Sequence, residues 1–84
     1  MVKLSIRLYS TPNCPWCHEI KKYLAEKGVN YENIDISINT KAVAELFEKS
    51  GQMGVPVLDI NGIIIIGFNE EAINQAFRVL DVNK

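Results

Sequence analysis

Between Ser10 and Pro15 the hydrophobic period of the chain changes abruptly, and that change decides most of what can be built from it. Val2, Leu4, Ile6 and Leu8 alternate with Lys3, Ser5, Arg7 and Tyr9, the period of two expected of a strand with one buried face. Thr11-Pro12-Asn13 breaks the alternation. From Pro15 onward, Trp16, Ile20, Tyr23 and Leu24 recur at helical spacing until Gly28. Proline suits the first helical turn, where the amide it lacks would have no partner, and glycine is a natural stop. The spacing predicts a strand ending near Ser10 and a helix over residues 15–27.

The rest of the chain continues in the same style. Residues 29–36 predict a second strand, with Tyr31, Ile34 and Ile36 as its apolar content. Asn39 or Thr40 is placed to cap a second helix, whose apolar face is expected to be Val43, Leu46 and Phe47 and whose end is Gly51. Pro56-Val57-Leu58-Asp59-Ile60 and Ile63 to Ile66 flank Asn61-Gly62, the dipeptide best suited to a two-residue hairpin turn. Asn69 can cap a last helix with Ile73, Ala76, Phe77 and Leu80 on one face. The order is β-α-β-α-β-β-α. A helical crossover makes the first two strands parallel with a right-handed connection, and the hairpin adds an antiparallel pair. The fold class is therefore α/β, a four-stranded mixed sheet flanked by helices, in a single domain over 1–84 because a chain of 84 residues has no room for a second core.

Composition narrows the partners. Nine basic and ten acidic residues, scattered along the chain, give a formal charge of -1, so no basic stripe exists to neutralise a phosphate backbone and nucleic acid is not expected. The longest apolar run, Ile63 to Ile66, is far short of the roughly 20 residues that span a bilayer. Alternation from Val2 leaves no space for a signal peptide, and the expectation is a cytoplasmic protein without a membrane partner.

The two cysteines, Cys14 and Cys17, sit on the period change. With two residues between them, they close too small a ring to stabilise a secreted scaffold; in a reducing compartment such a pair is more often catalytic or metal-binding. Zinc needs four ligands, and only His18 accompanies the pair, so no metal is expected. His18 reads as a residue of the first helical turn rather than a base or ligand. Disulfide exchange needs a thiolate, and a cysteine at a helix N-terminus ionises more readily because unpaired N–H groups and the positive end of the helix dipole face its sulfur. Cys14 is so placed. Cys17, about one turn on, lies beneath it and can attack a mixed disulfide formed there. Cys14 is thus the candidate nucleophile and Cys17 the resolving thiol. Pro15 keeps the intervening turn helical, and Trp16 is expected at the rim as an apolar contact. Val55-Pro56 is the second constellation: a proline opening a strand donates no ladder hydrogen bond and leaves the Val55 backbone free for an incoming extended peptide, though by itself it reads as an edge-strand proline.

The stretch Thr11-Pro12-Asn13-Cys14-Pro15-Trp16-Cys17-His18, then Gly54-Val55-Pro56-Val57, then Gly67-Phe68, in this order of elements, resembles the glutaredoxin family of the thioredoxin superfamily over nearly the whole chain. The resemblance implies a thioredoxin-like, glutaredoxin-type fold and a dithiol thiol-disulfide oxidoreductase acting on disulfide-containing proteins or glutathione mixed disulfides. It implies a cis Val55-Pro56 bond facing the cysteines and substrate contacts at Thr11, Pro15, Trp16, Val55, Pro56, Gly67, Phe68 and Asn69. No bound cofactor is implied; glutathione is the expected co-substrate, and the expected state is a monomer. Two departures concern the electron donor. Thr11 stands where glutathione-using relatives commonly carry lysine, and Ile66 stands where they tend to have glycine. Gly67-Phe68 instead looks like redoxins that carry electrons from thioredoxin reductase to ribonucleotide reductase. Phe68 is equally readable as a core aromatic. Two readings from other classes are a glutathione-ligated iron-sulfur carrier, which Pro15 disfavours, and a redox-inert binding module.

Overall fold

The structure, a computed structural model, describes residues 5–52 and 54–80. Its elements are β1 (Ile6–Ser10), α1 (Pro15–Glu26), β2 (Glu32–Asp35), α2 (Thr40–Ser50), β3 (Val57–Ile60), β4 (Ile63–Ile66) and α3 (Glu70–Val79). The sheet order is β2-β1-β3-β4. β1 runs parallel to β2 and antiparallel to β3, and β3 is antiparallel to β4. The expected β-α-β-α-β-β-α mixed sheet is the observed one. Val2 and Leu4, assigned to the first strand, lie outside the described residues.

Alternation along the strands sends side chains to two cores. Ile6 and Leu8 of β1, Leu58 and Ile60 of β3 and Ile65 of β4 pack against Ile20 and Leu24 of α1 and Ile73 and Phe77 of α3. On the opposite face Tyr9 and Val57 pack against Ala42 and Leu46 of α2. The result is three layers, α1 and α3 over one face and α2 over the other. Asn61 at φ 50 and Gly62 at φ 95 give the hairpin turn the two left-handed residues its twist requires. Among the described residues no helix is long and apolar enough to cross a membrane.

Three sequence expectations need correction. β2 is shorter than 29–36, because the Val29 amide bonds back to the Leu24 carbonyl at 3.4 Å and closes the end of α1 around Gly28 instead of joining the ladder. β3 begins at Val57, and since it lies between β1 and β4, Pro56 is not an edge-strand proline. The buried face of α2 is Ala42 and Leu46, while Phe47 is 53% exposed. Glu45 and Lys49 share the sheet-facing side of α2, where polar groups wait for them. Lys49 Nζ donates to Asp59 Oδ2 at 2.6 Å and to the Tyr9 hydroxyl at 3.1 Å; Tyr9 in turn donates to Glu45 Oε1 at 3.0 Å, which Arg7 also reaches at 3.2 Å. Asp59 Oδ1 accepts the Gly62 N–H at 2.8 Å, so this network also braces the hairpin.

The hydrogen bond to Asp59 is the main reason the Lys49 ammonium is held above its ordinary value, against a smaller opposing effect of burial. A raised native pKa means that the pair's stabilisation is complete below the ordinary lysine value of 10.5 and fades as pH rises through the higher native one. Lys49→Met strands the Asp59 carboxylate, whose side chain is only 12% exposed. The cost should be about 1–3 kcal/mol in a denaturant titration at pH 7, steady up to about pH 10 and shrinking above it. A variant as stable as the parent at pH 7 would contradict this account of the α2 face.

Candidate active site at the carboxyl end of β1

The pairing register brings the three motifs to one end of the sheet. Tyr9 opposes Val57, and Val57 opposes Ile66, so the chain leaving β1 toward Cys14, the chain entering β3 through Val55-Pro56 and the chain leaving β4 through Gly67-Phe68 emerge side by side. The Gly67 N–H donates to the Pro56 carbonyl at 2.8 Å and fastens two of these segments together. The Val55-Pro56 bond is cis.

All three helices begin with the same device. Asn39 and Asn69 are the N-caps of α2 and α3, and each side-chain oxygen accepts the amide three residues on, from Ala42 at 3.2 Å and Ala72 at 3.1 Å. In α1 the capping atom is a sulfur. Cys14 is the N-cap, in extended conformation, and its Sγ accepts the Cys17 N–H at 3.2 Å. Pro15 follows at the first helical position, as its missing amide favours. The first turn of α1 has no acidic side chain, whereas that of α3 carries Glu70 and Glu71. Nothing in the α1 first turn therefore competes with the sulfur for the positive end of the helix.

The two thiols differ in access. Cys14 is half-buried and Cys17 is 0% exposed. Burial, and then a hydrogen bond shared with the Cys14 sulfur, push the Cys17 thiol up to about 11, with the Thr11 backbone pulling the other way. The Cys14 sulfur also reaches the Val55 carbonyl oxygen at 4.0 Å. Attack from outside is thus open to Cys14 and closed to Cys17.

The remaining predicted positions fall around this pair. Trp16 is 61% exposed at the rim, as expected, and with Pro15 and Glu19 it lines a shallow depression. Phe68 stands 6.2 Å from Trp16 and 5.6 Å edge-on from Tyr23 between ring centroids, packed on the α1/α3 core. It packs on the core, as the core-aromatic reading expects, and it also extends the Trp16 surface. The Thr11 carbonyl accepts the Cys14 N–H at 3.4 Å. Asn69 is engaged as the α3 cap, and Ile66 is 49% exposed. Tyr23, marked only as apolar by its helical spacing, also belongs here: its hydroxyl donates to Asn74 at 2.6 Å and it joins α1 to α3 beside Phe68. Among the described residues no group of three His, Cys, Asp or Glu side chains could hold a metal ion.

The glutaredoxin family model matches residues 6–65. An uncharacterised glutaredoxin-like 8.6 kDa protein in the rubredoxin operon of Clostridium pasteurianum is 41% identical over 70 residues, 83% of this chain and 93% of the relative. A glutaredoxin from Archaeoglobus fulgidus superposes with a TM-score of 0.82 at 26% identity, over 88% of this chain and 86% of the other. NrdH-redoxin from Escherichia coli, a glutaredoxin-like protein with a thioredoxin-like activity profile, superposes with a TM-score of 0.75 at 27% identity, over 84% and 92% of the two chains.

Cys14→Ser leaves Cys17 as the single thiol of the chain. Ultraviolet titration of that variant should place Cys17 well above the free-cysteine value of about 8.5; titration at or below 8.5 would mean that burial does not hold its proton. Serine caps helices well, so the same variant should melt within a few degrees of the parent.

Proposed function

The chain belongs to the glutaredoxin family, and from that premise we propose that it is a dithiol thiol-disulfide oxidoreductase that reduces protein disulfides and glutathione mixed disulfides. The observation that carries the proposal is the split between an accessible, helix-capping Cys14 and a buried Cys17 held protonated. The Cys14 thiolate attacks one sulfur of R–S–S–R′, forms Cys14–S–S–R and expels R′S⁻, which takes up a proton. Cys17 then gives up its proton and attacks the Cys14 sulfur. The bond to R breaks, RS⁻ leaves, and a Cys14–Cys17 disulfide remains. Two electrons have passed to the substrate, and a thiol or a reductase must return them.

Cys17's raised pKa fits the second step rather than the first. At neutral pH it keeps its proton and does not compete for substrate; once Cys14 is bonded to R, the sulfur it must attack already lies one turn above it. Val55 and Pro56 are proposed to seat the substrate backbone, since the Val55 N–H bonds no other described residue, while Trp16, Pro15 and Phe68 supply an apolar surface. A pair that must be re-reduced after every turnover suits the cytoplasm.

For the donor, a specific set of observations favours a reductase of the thioredoxin reductase kind over glutathione. Thr11 brings no positive charge to the site, a β-branched Ile66 stands at the end of β4, the Gly67 amide is already bonded to Pro56, and Glu70 and Glu71 add negative charge at the start of α3. Glutathione, with two carboxylates and one ammonium, finds little there to hold it. Structural likeness to NrdH-redoxin supports the same reading.

Three experiments test these proposals. Cys17→Ser, mixed with a disulfide substrate, should accumulate a mixed disulfide on Cys14, and Cys14→Ser should form none and lose all reductase activity; activity surviving in Cys14→Ser would overturn the roles. With NADPH, oxidised protein should be reduced faster by thioredoxin reductase than by glutathione with its reductase. A charged hydrogen bond contributes about 1.5–3 kcal/mol, so Thr11→Lys with Ile66→Gly should raise kcat/KM for glutathione roughly 10- to 100-fold. An unchanged value would mean that these positions do not set donor choice.

A further inference from the structure

His18 makes two bonds that bracket the reactive cysteine. Its backbone N–H donates to the Cys14 carbonyl at 3.2 Å, the first i to i+4 bond of α1. Its ring Nε2 lies 2.8 Å from the carbonyl oxygen of Pro12, in the loop just before Cys14. A carbonyl oxygen only accepts, so Nε2 carries the hydrogen, and it does so in both the neutral ε-tautomer and the charged ring.

The loop these bonds secure has two other holds, the contact of the Thr11 backbone with the Cys17 thiol and its own closing bond. Residues 11–13 form a turn whose own closing bond, Cys14 N–H to the Thr11 carbonyl, is long at 3.4 Å. Pro12 has no N–H to contribute, and both Pro12 and Asn13 are exposed. Yet this turn sets where the Cys14 sulfur sits, and the sulfur must meet the Cys17 amide to act as the α1 cap. If the turn frays, the sulfur leaves that amide and no longer caps the start of α1.

We propose that His18 is a positioning residue for Cys14: its Nε2–H, bonded to the Pro12 carbonyl, holds the 11–13 turn against the first turn of α1 and so keeps the Cys14 sulfur over the Cys17 amide. This assigns His18 neither a proton transfer nor a contact with substrate. The proposal rests on Cys14 being the attacking sulfur, and it concerns the thiolate's setting rather than any later step.

The test is the rate of Cys14 alkylation by iodoacetamide at pH 7 in the reduced full chain, compared with kcat/KM for a disulfide substrate. In His18→Ala both should fall by the same factor, about three- to tenfold, the worth of one neutral hydrogen bond. His18→Gln places an amide N–H where Nε2 stood and should recover most of both rates. An alkylation rate unchanged in His18→Ala, or His18→Gln as slow as His18→Ala, would overturn the proposal. A loss of turnover with alkylation intact would instead mark His18 as a substrate contact. Because alkylation needs no disulfide substrate, this result stands whether or not the pair turns over as proposed.

Discussion

A sulfur atom in the place of a capping oxygen is the interaction on which the rest of the site depends. Helices begin with amides that need acceptors, and α2 and α3 meet that need with Asn39 and Asn69. In α1 the acceptor is the Cys14 sulfur. The sulfur consequently sits where negative charge is favoured, at the exposed end of the element whose interior hides Cys17. The local bond places the outer sulfur at the start of the helix, while burial shields the inner one. Pro15, the absence of acid in the first turn and the hold of His18 on Pro12 all serve the same arrangement.

The layers divide labour around that end of the sheet. The α2 side is stabilised by packing of Tyr9, Ala42, Leu46 and Val57 together with the Arg7, Glu45, Lys49 and Asp59 network. Its charges are paired and braced. The α1/α3 side carries the aromatic sequence Trp16, Phe68, Tyr23, which runs from the rim of Cys14 down to the bond between Tyr23 and Asn74. The carboxylates of Glu19, Glu26 and Glu70 line a groove there with Lys22, and none of these four has an ion-pair partner among the described residues. Both faces hold the fold, and the α1/α3 face also borders the chemistry.

How much of this was legible in the sequence follows from which forces are local. The caps at Asn39 and Asn69, the hairpin at Asn61-Gly62 and the onset of α1 at Pro15 are written in single residues, and all appear as expected. So does the placing of Cys14 outside Cys17. The shortening of β2 came from a local bond, Val29 to Leu24; the other two failures depended on partners distant in sequence. Phe47 reads as core by its spacing, but the sheet face opposite α2 presents Arg7, Tyr9 and Asp59, so the helix turns Glu45 and Lys49 toward it and leaves Phe47 outside. The lone Asp59 inside an apolar strand was the available clue. Pro56 read as an edge residue because nothing local tells that β3 lies between β1 and β4. The bond from His18 to Pro12 was hidden too, since spacing gives the helical turn but not the ring's target.

The central claim, that capping and burial separate the pair into an attacking and a resolving thiol, is tested most directly by competition between the two sulfurs in one molecule. Reduced native protein, pulsed with a limiting amount of isotopically labelled iodoacetamide at pH 7 and then digested under acid, reports the fraction labelled at each cysteine by mass spectrometry. The account predicts that the label is found on Cys14 with Cys17 almost untouched, and that the preference disappears when the protein is unfolded in denaturant before the pulse. Comparable labelling of both cysteines in the native protein, or faster labelling of Cys17, would contradict it.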